Sequence, residues 1–149
     1  MIVSNFMNIK KVVVIGSGTM GSGIAAHLCN ANIPVTLLDL KTEISEKARD
    51  RIYKSKPPLL LDKSKIDNIK VGNIADNFDV VKDADWIVEA VVERIDIKHQ
   101  IYEKIFKARK DGAIVSSNTS SIPIKVLSEH LMDIEKRDFC ITHFLIQLD

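Results

Sequence analysis

The stretch Val12-Val-Val-Ile-Gly-Ser-Gly-Thr-Met-Gly21 decides how this chain is expected to fold. Its four leading apolar residues predict a buried strand, and three glycines follow before a helical pattern begins. In such a strand–turn–helix unit, Gly16 allows the tight turn, Gly18 lets the backbone approach a pyrophosphate, and Gly21 lets the helix pack against the strand. Free N–H groups at the helix start then face the phosphates. The positions expected to bind the dinucleotide here are Gly16, Gly18, Thr19, Met20 and Gly21.

A carboxylate at the end of the next predicted strand completes this pattern. Asn32 and Pro34 stop the first helix, and Val35-Thr-Leu-Leu-Asp39 reads as a second short strand. An acid about 20 residues beyond the glycines accepts hydrogen bonds from the adenosine ribose and repels a 2′-phosphate, which favours NAD. Taken alone, Asp39 could equally be a helix N-cap or a solvated turn acid.

Strands and helices alternate along the rest of the chain. Further strands are predicted at 69–74, 86–92 (interrupted by Glu89), 113–117 and 139–144. Helices are predicted at 42–56, after Glu93 with Gly112 as the C-cap, and at Pro123. The strands are continuously apolar, as is typical of parallel sheets covered on both faces. The pattern predicts an α/β fold, a Rossmann-type doubly wound parallel sheet in three α/β/α layers, over residues 9–149 after a short extension at 1–8. Helix positions expected to face inward include Ala31, Ile44, Ala48, Ile52, Ile124, Leu127 and Leu131.

Composition narrows the class of protein. The chain has 149 residues, of which 46% are hydrophobic, and its 21 basic and 20 acidic side chains nearly balance. We therefore expect one soluble globular domain, and find no electrostatic basis for binding nucleic acid or a membrane surface. Cys29 and Cys140 lack the spacing of a metal site, so no metal is predicted and a reducing cytoplasm is expected. His27, His99 and His130 fall on predicted helices and are interpreted as surface or boundary residues.

Polar residues follow several of the predicted strands at the point where each strand ends. Because the carboxyl ends of parallel strands meet at one edge, these residues should share one rim. His143 is the candidate acid or base, since imidazole titrates near neutrality, and Ser120 could hydrogen-bond a substrate oxygen. A structural histidine and a helix-capping Thr-Ser-Ser sequence are the open alternatives. The rim residues are Gly16, Asp39, Glu93, Asn118 and His143, and Asn118 is also expected to bind the cofactor.

Four motifs in this order and spacing resemble one family. VIGSGTMGSGIAAHL, VEAVVER, SSNTSSI and THF are similar to the NAD-binding domain of 3-hydroxyacyl-CoA dehydrogenases, notably the long bacterial form used in fatty-acid β-oxidation. The resemblance implies that the glycines and Asp39 hold NAD, and that Glu93 and Lys98 contact its nicotinamide half. It further implies that Ser120 hydrogen-bonds the substrate oxygen, that His143 takes the 3-hydroxyl proton, and that Ser55 contacts CoA.

The chain departs from the family after Thr142. The family continues His-Phe-Phe-Asn-Pro, whereas this chain reads His143-Phe-Leu-Ile-Gln-Leu-Asp149, so Ile146 replaces an asparagine that contacts NAD. The glutamate that orients the catalytic histidine, the family's last strands and its helical second domain are not in this sequence. One added base in a T tract would restore the motif, which suggests a frameshifted N-terminal fragment. The alternatives are therefore an acyl-CoA dehydrogenase domain working with other chains, a self-associating remnant that at most binds NAD, or a different two-domain dehydrogenase.

Overall fold

Six short strands and five helices follow one another in residues 8–145, the part of the chain that the computed structural model describes. The strands are β1 (Val12–Ile15), β2 (Val35–Asp39), β3 (Ile69–Asn73), β4 (Trp86–Glu89), β5 (Ile114–Ser117) and β6 (Phe139–Ile141). The helices are α1 (Thr19–Asn30), α2 (Thr42–Lys54), α3 (Ile95–Ala108), α4 (Ile124–Leu127) and α5 (Asp133–Lys136). Two 3₁₀ helices, Lys63–Asn68 and Phe78–Asp83, precede β3 and β4.

The strands form one parallel sheet in the order β3-β2-β1-β4-β5-β6. β1 lies at its centre, with Val12 beside Val35 on one side and beside Trp86 on the other. The chain leaves β1 towards β2 and later returns to its other side as β4, so the strand order reverses there. Ligands bind at such a switch point in open parallel sheets. The predicted α/β doubly wound fold is confirmed.

The two faces of the sheet carry separate hydrophobic clusters. Val12 and Val14 point into the cluster under α1 and α2, whereas Val13 and Ile15 point into the cluster under α3. Side chains alternate between faces along a strand, so four consecutive apolar residues bury only when both faces are covered. The continuous apolar runs of the sequence therefore reflect the three-layer arrangement.

Several helix positions that were expected to face inward do not. Ile44 is 39% exposed and Ile124 46% exposed, and Ala31 is exposed at the end of α1. Each lies within the first or last turn of its helix or just beyond it, where the helix projects past the sheet. Ala48, Ile52 and Leu127 are buried as predicted.

Several strands and helices also end at other residues than the sequence predicts. β4 stops at Glu89 and β6 at Ile141, because the chain turns away from the sheet to form the rim. Pro123 is the N-cap of α4, and His130 lies in the turn after that helix rather than on it.

Cys29 is buried and Cys140 half-buried, and both are free thiols. Within residues 8–145, every helix is too short or too polar to cross a membrane. The extension at 1–7 and Ile146, where an NAD contact is replaced, lie outside the described residues.

Candidate functional site

Two of the three loop glycines are required by the fold itself. Gly16 has a φ of +102°, a conformation that favours glycine, and a Cβ there would overlap the carbonyl of Ala90 after β4. A Cβ at Gly21 would overlap the carbonyl oxygen of Gly16. At Gly18, by contrast, nothing lies within 4 Å of the Cβ position. Gly16 and Gly21 therefore serve packing, while Gly18 opens onto free space.

Asp39 holds the glycine loop in place. Its Oδ2 accepts hydrogen bonds from the Ser17 backbone N–H at 2.8 Å and the Ser17 hydroxyl at 2.5 Å, and its Oδ1 accepts from the Leu40 N–H. The Arg51 guanidinium, reaching from α2, donates to the Ser17 carbonyl at 3.2 Å. Asp39 is not the N-cap of α2, which is Lys41. A carboxylate can accept about four hydrogen bonds, so this role is compatible with the predicted ribose contact.

A cleft of about 600 Å³ opens beside the loop at the carboxyl end of the sheet. It extends from Asp39 and Arg51 on the β2 side to Glu93 and the start of α3. Its walls are largely apolar, as is usual for cofactor sites. Residues that line it include Gly16, Gly18, Thr19, Met20, Asp39, Ile44, Arg51, Val92, Glu93 and Ile97. The exposed Ile44 is thus a wall of this cleft.

A fully buried carboxylate, Glu89, lies behind the rim at the end of β4. Its Oε1 accepts hydrogen bonds from the Tyr102 hydroxyl at 2.5 Å and the Ser117 hydroxyl at 2.7 Å. Its Oε2 accepts from Lys98 Nζ at 2.7 Å and the Val91 N–H at 2.9 Å. Burial, followed by the charge of Glu89, raises the pKa of Tyr102 well above its usual value, so the phenol remains a donor. All four partners thus satisfy the buried charge.

This role of Glu89 was not predicted from the sequence. The signal was a carboxylate inside an otherwise apolar strand, followed nine positions later by Lys98 on the next helix. A buried charge needs a partner, so such a residue points to a polar network.

Lys98 joins Glu89 to the rim. Its ammonium is 1% exposed and lies 2.7 Å from Glu89 Oε2 and 2.9 Å from Glu93 Oε1. Glu93 Oε2 also accepts hydrogen bonds from the hydroxyls of Thr119 at 2.8 Å and Ser121 at 2.9 Å. Partial burial would raise the pKa of Glu93, but the hydrogen bonds from Lys98, Thr119 and Ser121 outweigh it and lower that pKa. Glu93 is therefore held as an anion facing the cleft.

A recess of about 220 Å³, lined by the predicted catalytic residues, adjoins the cleft. Asn118 Oδ1 accepts a hydrogen bond from the Phe144 N–H at 3.0 Å, which holds the chain beside His143. Phe144 itself stacks on Trp86, with ring centroids 6.0 Å apart. The recess is lined by Met20, Ala90, Val91, Glu93, Lys98, Asn118, Ser120 and His143.

One predicted site residue lies elsewhere. Ser55 is the C-cap of α2, where its hydroxyl donates to the Ile52 carbonyl and accepts from the Leu59 N–H. It is not among the residues that line the cleft or the recess.

The glycine loop fits a dinucleotide on the observations above. The first N–H groups of a helix have no intrahelical partner, and those of α1 begin at Thr19, beside the cleft. The open space at Gly18 leaves room for a pyrophosphate against the backbone. Asp39 lies at the far end of the same cleft, where the adenosine ribose of NAD would meet it.

Comparisons with known proteins agree with this geometry. Residues 11–147 match the family described as "3-hydroxyacyl-CoA dehydrogenase, NAD binding domain". The chain is 44% identical over 143 residues to a Rickettsia felis protein named for a fatty acid oxidation complex trifunctional enzyme, covering 91% of this chain and 20% of that one. It is 40% identical to a "Probable 3-hydroxyacyl-CoA dehydrogenase" of Deinococcus radiodurans, covering 93% and 42% respectively.

A solved structure of 3-hydroxybutyryl-CoA dehydrogenase from Escherichia coli superposes with a TM-score of 0.78 at 26% identity, over 92% of this chain and 30% of that one. The chain thus spans less than half the length of each of these relatives. Because the family match covers almost the whole chain, the protein belongs to the 3-hydroxyacyl-CoA dehydrogenase family as an NAD-binding domain.

Proposed function

We propose that this domain supplies the cofactor and proton-transfer half of an enzyme that oxidises a 3-hydroxyacyl-CoA to the 3-oxoacyl-CoA. The observation that supports the proposal most is that the cleft and the recess adjoin. Met20, Ala90, Val91 and Glu93 line both, so the glycine loop and His143 face neighbouring spaces. A dinucleotide in the cleft would extend towards the recess.

The residues of the recess provide the groups that the oxidation needs. NAD, when bound, accepts the hydride that leaves the hydroxyl-bearing carbon. The imidazole of His143 takes the hydroxyl proton, for which a neutral imidazole is suited at neutral pH. The Ser120 hydroxyl donates a hydrogen bond to the same oxygen and fixes its position beside His143.

Glu93 and Lys98 are proposed to contact the nicotinamide half of the cofactor. Both line the recess, and the ion pair between them fixes their positions. Asn118 contributes by holding the backbone at Phe144, next to His143. Ser55 is proposed to contact CoA from the end of α2, which requires its hydroxyl to exchange one of its two local hydrogen bonds for the ligand.

Reduction of acetoacetyl-CoA, followed as NADH oxidation, tests the proposal. Any turnover by the domain should require the acyl-CoA and should fall at least about a thousandfold in His143→Ala. Turnover that persists without acetoacetyl-CoA, or in a His143→Ala variant as active as wild type, would contradict the proposal, whereas the absence of turnover favours the second candidate function.

A second candidate function is NAD binding without turnover. Within residues 8–145 the His143 ring is exposed and has no hydrogen-bond partner to orient it, and an unoriented base loses orders of magnitude in rate. Calorimetry separates the two functions. The second function is favoured if wild type binds NAD without turning over acetoacetyl-CoA and if Gly18→Val no longer binds NAD.

We also propose that the chain associates with copies of itself. The strand β6 forms an edge of the sheet, and Leu145 beyond it is 88% exposed, which favours self-association through this edge. A monomer at high concentration in light scattering would contradict this.

We propose the cytoplasm as the location because the free thiols of Cys29 and Cys140 suit a reducing compartment.

A further inference from the structure

We propose that His99, Glu129 and His130 form a binding site for a divalent transition metal, with Zn²⁺ as the expected ion. The three side chains meet where α3 packs against the turn that follows α4. His99 lies on α3, while Glu129 and His130 are neighbours in the turn. None of them lines the cleft or the recess.

The distances between the donor atoms are close to those of a metal site. Glu129 Oε1 lies 3.8 Å from His99 Nε2 and 3.6 Å from His130 Nε2. The donor atoms of the three residues all lie within 4.8 Å of one another. Zn–N and Zn–O bonds of about 2.0–2.2 Å place tetrahedral ligand atoms roughly 3.3–3.6 Å apart. To take up the ion, the His99 ring must turn so that Nε2 leaves the Val126 carbonyl oxygen, and the other two side chains must move closer to it.

The donor set is selective in its chemistry. Two imidazoles and one carboxylate form the ligand set of open zinc sites, in which water fills the fourth position. Hard cations such as Mg²⁺ prefer oxygen ligands and would not be favoured by a site with two nitrogens. Among residues 8–145, Glu129 forms no ion pair with a lysine or arginine, so its charge is left for the two imidazoles and an ion.

One ligand is already ordered by the fold. The side chain of His99 is 14% exposed, and its Nε2 lies 2.9 Å from the Val126 carbonyl oxygen, to which it donates in the metal-free state. A metal at Nε2 takes the place of that proton, and the neutral ring then carries its single proton on Nδ1. The lost hydrogen bond reduces the affinity but requires no change in the net charge of the ring.

The bound ion would connect two segments that lie next to residues of the candidate site. His99 is adjacent in sequence to the buried Lys98, and the turn at 128–130 follows the segment that supplies Thr119 and Ser121 to Glu93. Cross-linking α3 to this turn stabilises the folded state, because a ligand that binds only the folded protein raises its stability. We therefore expect the melting temperature to rise with Zn²⁺ concentration.

Calorimetric titration of the untagged chain with ZnCl₂ at neutral pH tests the site. We expect one equivalent to bind wild type, with a matched increase in melting temperature. The affinity should fall at least about tenfold in Glu129→Gln and in His130→Ala, both of which alter exposed side chains. His27→Ala, which removes an exposed histidine on α1, should bind like wild type.

Co²⁺ provides a second readout, since its visible spectrum distinguishes nitrogen and oxygen ligands from thiolate. A spectrum without a sulfur charge-transfer band supports the site. Three outcomes would overturn it: no binding up to about 1 mM metal, equal affinity in wild type and His130→Ala, or a thiolate band that places the ion on a cysteine.

Discussion

The glycine loop and the network around Glu89 lie side by side at the carboxyl end of the sheet, but they are built in opposite ways. The loop depends on missing side chains, since a Cβ at Gly16 or Gly21 would overlap a neighbouring carbonyl. The network depends on polar side chains from β4, the loop after it, α3 and β5, which bring one lysine to two glutamates. In the glycine loop, local sequence determines the backbone conformation. In the network around Glu89, tertiary packing brings charged side chains together.

This difference predicts how each region responds to change. The network should be sensitive to the loss of Lys98, because it is the cation that balances the buried charge of Glu89. The loop should be sensitive to added volume at two glycines and insensitive at the third.

The largest effect is expected for Lys98→Met. Lys98 is 1% exposed and Glu89 is 0% exposed, so the variant leaves a buried carboxylate without its cation. We expect the free energy of unfolding to fall by about 3–5 kcal/mol, measured by urea denaturation. Lys107→Met, which removes an exposed lysine from the same helix, should change it by no more than about 0.5 kcal/mol. Equal stability of the two variants would show that the buried pair is not what holds α3 to β4.

Gly21→Ala comes next. The added methyl group meets the Gly16 carbonyl oxygen, a backbone atom that cannot rotate away, so overpacking should cost about 2–3 kcal/mol. Gly18→Ala is the matched control, because its methyl group enters open space and should leave stability within about 0.5 kcal/mol of wild type. The ranking reverses for the cofactor: Gly18→Ala should weaken NAD binding in calorimetry. If Gly18→Ala is the less stable variant, the division of roles between the glycines is wrong.

The same contrast explains what the sequence could predict. The glycine loop, the doubly wound parallel sheet and the position of Asp39 at a strand end were accessible because each depends on local sequence patterns or on general rules of parallel sheets. Glu89 was not, because its partners Lys98, Tyr102 and Ser117 come from three later positions that only the folded sheet unites.

Helix faces were only partly predictable. Periodicity identified the buried stripe of α2 at Ala48 and Ile52, but it does not show where a helix passes beyond the sheet. Ile44 satisfies the same periodicity and lines the cleft instead. For the same reason no pattern linked His99 to His130, which are on separate elements.

A smaller effect, on affinity alone, is expected for Arg51→Ala. Arg51 donates to the Ser17 carbonyl and places a positive charge beside the cleft that would hold the phosphates. We expect the dissociation constant for NAD to rise about fivefold, or roughly 1 kcal/mol, with no loss of stability. Lys54→Ala, a control on the same helix whose partner is Asp50, should bind NAD like wild type. If the two variants bind NAD with equal affinity, Asp39 and not Arg51 holds the glycine loop in its binding conformation.

The smallest effect, and one that depends on pH, is expected for Glu93→Gln. Hydrogen bonds lower the pKa of Glu93 from its ordinary 4.5, so its contribution to stability is fully present above pH 4.5 and is lost as the pH falls through the lower folded value. Because Glu93 is 42% exposed, the difference from wild type at neutral pH should stay under about 1 kcal/mol.

Urea denaturation from neutral to acidic pH measures this difference, with Glu103→Gln as the control for an exposed carboxylate on α3. Wild type and Glu93→Gln should converge below pH 4.5, because the protonated carboxyl of Glu93 no longer pairs with Lys98. A gap that persists in acid would mean that Glu93 stabilises the rim through its shape and not its charge. The charged network would then comprise only the buried pair of Glu89 and Lys98. The rim, like the glycine loop, would be stabilised by packing and not by charge.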